Sequence, residues 1–435
     1  MLRCVTIEKL APTGEGIART VEGVGFVAGA LPGEEVEAEV GEVRKRFWKG
    51  RVVSLLTRSP LRRSGPHAES CAGCDWSFFD PDAALQARRE LFLETMERIG
   101  EIPPASFGEL PIAPSAAGYR MRNRFHVSGV GPDAAVGYFA PRTHRVEPAD
   151  HCEALSESMR ARLPLLRAAL AATGAPATQV LTVETADASR RLVSIRLEKG
   201  ADRAAAGPLA ASLEESFDGI AIEDDRGGVL AARGERRLWL SACGHEFSVT
   251  PGVFFQTNRF LVDAVCRDVG RAAAAIAPGR ALDLFAGVGL FAGPLAGAGH
   301  AVVSVEGSGD SVGLAREAKK RWFSPHPGPL PPGEGEDLPD WQVVLSSALG
   351  FLESSTDRFD LVVADPPRAG LGAGVSRALA RLAPARLLYV SCEMPTLARD
   401  LAFLLEGGFA IEDARLYDFF PFTHRVEAMV SLVMR

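Results

Sequence analysis

The chain is short of cysteine, with seven in 435 residues, an odd number scattered from Cys4 to Cys392. That density excludes a secreted disulfide scaffold and points to a reducing compartment. Long hydrophobic runs are missing too. The most apolar stretch, residues 272–305, is broken by Arg280, Asp283, His300 and many glycines, so it is not a membrane span. The opening MLRCVTIEKLAPTGEG has neither the apolar core nor the cleavage site of a signal peptide, and the expected location is cytoplasmic. A global basic field is also lacking, because the net charge is −7. A polyanionic partner would have to be held by a local patch. What is present is an ordinary globular composition, 47% hydrophobic and 24% charged, in a chain long enough for about three domains.

A local patch exists. Between Val40 and Arg63 stand Arg44, Lys45, Arg46, Lys49, Arg51, Arg58, Arg62 and Arg63, with Glu42 as the only acid. Residues 1–58 read as five short strands separated by Gly and Pro, which suits a small oligonucleotide-binding barrel. Phe47 and Trp48 interleave with the basic groups, a combination suited to phosphate contact and base stacking. Residues 59–109 hold a cysteine segment and a helix capped by Asp80 or Asp82, with Leu85, Leu91, Phe92 and Met96 apolar. Residues 110–247 mix strands with an amphipathic helix over ALSESMRARLPLLRAALAATG and read as an α+β unit. From 248 to 435 apolar runs alternate with helical patterns, the signature of a doubly wound parallel sheet. The fold class is thus multi-domain α/β: an OB-like barrel, a central α+β domain and a Rossmann-like sheet. The Pro/Gly-rich segment Ser324–Asp340 interrupts the last unit and reads as a disordered surface insertion.

Chemistry concentrates at strand ends. LDLFAGVG follows a strand and opens a helix, and Gly287 and Gly289 let backbone approach a ligand there. Glu306 ends the next strand, where an acid can hold a ribose diol. No Gly-Lys-Ser/Thr follows the glycines, so a phosphate loop is excluded. FDLVVADPPRAGL puts Asp365 at a strand end, and two prolines then force the chain out of the sheet. Together these point to S-adenosylmethionine rather than a dinucleotide. Arg368 stands where an amino methyltransferase needs an aromatic. Cys392 ends the fifth strand, where a thiolate can attack a carbon electrophile. Glu427 begins the last strand, and a buried carboxylate can act as a general base.

DLFAGVG, ADPPRAGL, YVSC with TLARDL, FFQTN and FPFTHRVE together resemble the RNA uracil-5-methyltransferase family, in the branch that carries an N-terminal TRAM barrel and methylates 23S ribosomal RNA. The resemblance spans the chain apart from Ser324–Asp340. It implies that Cys392 adds to C6 of uracil, that Glu427 removes the C5 proton, and that Gln256, Phe285, Glu306 and Asp365 meet the cofactor. It implies a monomer acting on RNA, with Arg120, Arg122 and Arg124 helping to grip it, and no membrane. Two other readings stay open: the same chemistry on transfer RNA, and an RNA-binding paralogue with weak or no catalysis.

The chain departs from the family pattern at several points. Leu290 replaces an Asn after the glycine turn, and Ser347 replaces an acid or amide near the adenine. Glu393 and Met394 replace the Asn-Pro after the nucleophile, shifting the proline to Pro395. The branch binds a [4Fe-4S] cluster through four thiolates. Here Cys71, Cys74 and Cys152 match, but the first position is Gly65, with His67 as a nearby substitute. The expectation is a cluster, with zinc or no metal as the other readings.

Overall fold

Glycines and prolines punctuate the early chain, and the backbone turns at them. The computed structural model describes residues 1–69, 71, 73–140, 143–322 and 340–435. The Ser324–Asp340 insertion, apart from Asp340 itself, lies outside the described residues. The N-terminal sheet has six strands rather than five: Leu2–Thr6, Lys9–Leu10, Gly16–Thr20, Gly23–Ala28, Glu35–Val43 and Phe47–Thr57. The run CVTIEKL divides because Ile7 N–H donates to Glu34 O (2.9 Å) and Glu8 N–H to Ile17 O (2.8 Å), so one stretch serves two neighbours.

Two expectations for this sheet fail. Trp48 is 1% exposed and packs with Val5, Ile7, Val27 and Val36, so it is core and not a platform for bases. Period-two alternation sends it inward, while Phe47 meets Phe26 edge-on at 6.0 Å. The basic run is also largely spoken for: Arg44 pairs with Glu42, Arg51 with Glu39, Arg62 with buried Glu34, and Arg63 with Glu153. Among the described residues, Lys45, Arg46 and Lys49 make no ion pair, and Lys45 and Arg46 are exposed.

The helix Pro81–Gly100 starts where expected. Asp80 caps it, accepting from Asp82 N–H (3.1 Å) and Ala83 N–H (3.0 Å), a contribution of about 1 kcal/mol. Leu91, Phe92 and Met96 are buried, and this face packs on helix Met394–Glu406. The central sheet has seven strands, running from Val146–Pro148 at one edge to Val229–Gly234 at the other. The single long helix expected beside it is two, Glu157–Arg160 and Leu163–Thr173, because Pro164 cannot continue the first. Arg122 and Arg124 sit on the strand Arg122–Ser128, but only Arg124 is exposed. Arg122 donates to Pro251 O (3.1 Å), and burial, with Arg124 nearby, lowers its pKa to about 10. Arg120 donates to the Tyr119 hydroxyl (3.3 Å). Arg120 and Arg122 are therefore committed inside the protein and not free for RNA.

The C-terminal sheet comprises β1 (Arg280–Leu284), β2 (Ala301–Glu306), β3 (Trp341–Leu345), β4 (Leu361–Ala364), β5 (Arg386–Ser391), β6 (Phe409–Tyr417) and β7 (Glu427–Met434). Their order is 3-2-1-4-5-7-6, with β7 antiparallel to both neighbours. Alternate residues feed two cores, Leu282 and Val362 on one face, Ala281 and Val363 on the other. Ile112–Ala113 joins this sheet beside β6. The hairpin of Leu238–Ala242 and His245–Val249 packs into its core. A boundary between 247 and 248 would therefore cut a strand. Cys243 and Cys266 are bonded, with Cα atoms 5.8 Å apart, tying that hairpin's turn to helix Val262–Ala274. This pair runs against the reducing compartment that the cysteine density suggests. Among the described residues no helix is long and apolar enough to cross a membrane.

Candidate active site

Strand register decides what meets at the carboxyl edge. Leu284 pairs with Ala364, and Ala364 with Tyr389, so Phe285 and Asp365 emerge side by side. On β7, Ala428 lies opposite Ser391 of β5. The next residue outward on each strand is Glu427 on one and Cys392 on the other, so the carboxyl and the thiol stand at one level. The strand order reverses between β1 and β4, and open α/β sheets bind ligands at such a crevice.

The glycine turn is shaped for a ligand. Phe285, Gly287 and Gly289 have φ of +61°, +57° and +88°. Nothing lies within 4 Å of where a Cβ on Gly287 would stand, so that side of the turn is clear. At Gly289 a Cβ would come within 2.4 Å of the Trp341 ring, so this glycine lets the turn pack onto β3. Glu306 accepts from Gly287 N–H (2.9 Å) and Ser308 N–H (2.7 Å), which orients its carboxylate at the tip of β2. A small cavity is lined by Phe255, Gln256, Phe285, Gly287, Leu290 and Asp365. Gln256 Nε2 donates to Asp365 Oδ2 at 2.9 Å. Cys392 is half-buried and outside this lining, while Asp365 both lines the cavity and acts on the charge of the thiol.

Three acidic protons crowd the edge. Burial raises Asp365 to about 7, against the pull of its Gln256 hydrogen bond. Burial, reinforced by Asp365, holds Glu427 well above the carboxylate range. Burial pushes the Cys392 thiol up to about 12, with Glu427 and Asp365 adding to the rise and Arg368 and Arg425 opposing it. Sequence reasoning missed Arg425 here; it donates to Glu393 Oε2 at 2.8 Å, so the residue that follows Cys392 is a tether. It also missed Asp400, whose Oδ2 accepts from Leu371 N–H (2.7 Å) and the Tyr389 hydroxyl (2.8 Å). That carboxylate ties the loop after Asp365 to the helix after Cys392. Asp283 was visible as an acid inside an apolar strand. It is fully buried and raised to about 8 by burial, with Ser304 donating to Oδ2 at 3.1 Å. Ser347 caps helix Ala348–Ser354 through Gly350 N–H (3.1 Å), and Leu290 is buried.

A second cluster lies apart from this edge. His67, Cys71, Cys74 and Cys152 bring their ligand atoms within 4.8 Å of one another. His67, Cys74 and Cys152 are 1%, 3% and 4% exposed. Hydrogen bonds from Cys71 and then Cys74 hold the Cys152 thiol well below its ordinary range. The same contact with Cys152 drives Cys71 up to about 12. Gly65 contributes no ligand atom, so the set is three sulfurs and one imidazole. This is one thiolate short of a typical four-thiolate cluster set. The segment bearing these residues also grips the approach to β7: Trp76 N–H donates to Phe422 O (2.9 Å), and the His67 ring meets Phe422 edge-on at 5.0 Å. Arg88 donates twice to Thr423 O, at 2.7 and 3.0 Å.

The strand order, the glycine turn after β1 and the acid at the end of β2 define a Rossmann-like S-adenosylmethionine-dependent methyltransferase. Residues 352–435 match the family model described as tRNA (Uracil-5-)-methyltransferase, and residues 3–53 match the TRAM domain. A curated relative from Halomonas elongata, 23S rRNA (uracil(1939)-C(5))-methyltransferase RlmD, is 32% identical over 99% of this chain and 89% of its own length. The protein of that name from Pseudomonas entomophila is 31% identical over 97% of this chain and 92% of its own. The solved structure of Pyrococcus abyssi tRNA (uracil-54, C5)-methyltransferase with S-adenosyl-L-homocysteine shares the fold, with a TM-score of 0.78 at 23% identity over 99% of both chains. The chain belongs to the RNA uracil-5-methyltransferase family.

Proposed function

We propose that this chain methylates C5 of a uridine in 23S ribosomal RNA through a temporary bond between Cys392 Sγ and C6 of the ring. The observation that carries the reading is the β5–β7 register, which sets a thiol and a buried carboxyl at one level beside Asp365. The choice of ribosomal RNA is supported by the names of relatives 31% and 32% identical over nearly the whole chain. We take the acting form to be a single chain in the cytoplasm.

Bound S-adenosylmethionine supplies a methyl group on a positively charged sulfur. Gln256, Phe285, Gly287, Gly289, Glu306 and Asp365 would hold it, and the Glu306 carboxylate is the group suited to its ribose hydroxyls. The target base leaves its stack at a cost of a few kcal/mol, smaller in a loop. Cys392 first gives its proton to solvent, and a positive charge beside Asp365 favours this together with Arg368 and Arg425. The thiolate adds to C6 and the ring's electrons shift to the C5–C4–O4 enolate. C5 then takes the methyl, and the electrons of the broken bond stay on the cofactor sulfur. Glu427, in its ionised form, takes the hydrogen left on C5 as a proton, the C5–C6 double bond re-forms, and Cys392 leaves as thiolate. Exposed Lys45, Arg46 and Arg124 are the groups left free to meet phosphates. Cys71, Cys74 and Cys152, with His67, gather their ligand atoms outside the lining of the Phe285–Asp365 cavity and take no part in these steps.

The test is methylation of unmodified 23S and transfer RNA by the purified protein, with mass mapping of the products. The reading expects 5-methyluridine in 23S RNA and a covalent adduct on 5-fluorouridine RNA. A mark found on transfer RNA alone overturns the choice of substrate. RNA binding with neither mark nor adduct overturns the enzyme.

A further inference from the structure

We propose that His67, Cys71, Cys74 and Cys152 bind a single zinc ion, in place of the four-iron cluster that the family resemblance implies. The first argument is size. Zinc holds sulfur at about 2.3 Å and imidazole nitrogen at about 2.0 Å in a tetrahedron, which sets its ligand atoms roughly 3.5–4 Å from one another. A four-iron cube takes one thiolate at each corner, each pointing outward, so its ligand sulfurs stand roughly 6 Å apart. The four ligand atoms here lie within 4.8 Å of one another, a spread that encloses one ion and not a cube.

The second argument is the donor set. Three thiolates and one imidazole form an established structural zinc set, whereas a cluster is normally held by four thiolates. Gly65 removes the fourth thiolate, and a turn at this glycine (φ +130°) leads into His67. The third argument is a buried nitrogen. His67 Nε2 is buried with no oxygen or nitrogen partner and only the Cys152 sulfur in reach, and a metal shared with that sulfur satisfies it. On the other side of the ring, Nδ1 lies 3.7 Å from Glu153 Oε1. When Nε2 ligates, Nδ1 carries the proton and Glu153 is the carboxylate in reach, the usual outer partner of a metal-bound histidine. Arg63 then gives up its contact with the ring (3.2 Å) and keeps its bond to Glu153 Oε2 (2.9 Å). Binding leaves all three sulfurs as thiolates, and the thiol protons still present go to solvent. The site then carries one net negative charge, which the neighbouring Arg120 guanidinium offsets. The ion neither gains nor loses electrons, so its part is to hold residues 63–76 against Phe422.

The full-length protein is purified without oxygen from medium containing both iron and zinc, and zinc, iron and acid-labile sulfide are counted per chain. The expected result is one zinc, no sulfide and no visible iron–sulfur absorption. Cobalt substituted for zinc should show the ligand-field bands of a tetrahedral thiolate site. Glu153→Gln should weaken zinc binding by about ten- to a hundredfold in competition with a chelator, without changing the stoichiometry at saturation. Four irons with four sulfides per chain overturn the proposal. So does a protein that holds no metal after either growth or reconstitution with zinc. His67→Cys separates the two metals further: zinc retained in this variant agrees with the proposal, and a cluster in the wild type does not.

Discussion

Two of the molecule's cysteines stand in contrasting settings. Cys392 is half-buried at a strand tip, where burial, and then the neighbouring carboxyls, raise its pKa. Cys152 lies in a buried group of thiols whose hydrogen bonds lower its own. A thiol among acids is kept protonated until a cation arrives, which suits a nucleophile that must not react early. A thiolate made by its fellow thiols is ready for a metal and closed to substrate. The difference lies in the neighbours and not in the residue.

Substitution separates the two settings. Cys392→Ala should lower methyl transfer by at least about a thousandfold, with no adduct on 5-fluorouridine RNA and an unchanged melting temperature. A melting transition that fell with the activity would erase the contrast. Glu427→Gln should slow turnover by about a hundred- to ten-thousandfold, and methylated RNA should stay bound to Cys392, visible on a denaturing gel. Cys152→Ala should do the reverse of Cys392→Ala. Stability drops by more than about 2 kcal/mol, while adduct formation persists in the fraction still folded. The smallest effect is a titration. Alkylation of Cys392 should accelerate as pH rises through and above neutrality, since the thiol (about 12) has to lose its proton. Glu427→Gln removes a negative neighbour, so the inflection should move to lower pH; a move upward would assign the shift to another group.

The strand tips were legible because apolar runs stop abruptly at Asp365 and Cys392 and one begins at Glu427; parallel strands gather their carboxyl ends, and antiparallel β7 brings its first residue to the same edge. The strand β6 was not legible, since Glu412 and Asp413 interrupt its apolar pattern on the open face. Composition identified a basic run but not its partners. Glu34, Glu39 and Glu153 come from other parts of the chain, and only folding brings them to Arg62, Arg51 and Arg63. Trp48 misled because an aromatic between basic residues looks the same whether it faces in or out. The bond between Cys243 and Cys266 joins a hairpin turn to a helix and leaves no spacing signal. His67 was visible only as the histidine nearest a missing thiolate; its unpartnered nitrogen is a fact of three dimensions.

Arg88 reaches across 335 residues of sequence to hold the carbonyl of Thr423, four residues before Glu427, the base of the proposed reaction. The last strand therefore borrows its footing from the first quarter of the polypeptide. A C-terminal fragment expressed by itself would own every reacting atom and still lack the brace that aims one of them. Synthesis from the N-terminus makes that brace first, so the reaction centre is completed only as the final strand docks onto a support already waiting for it.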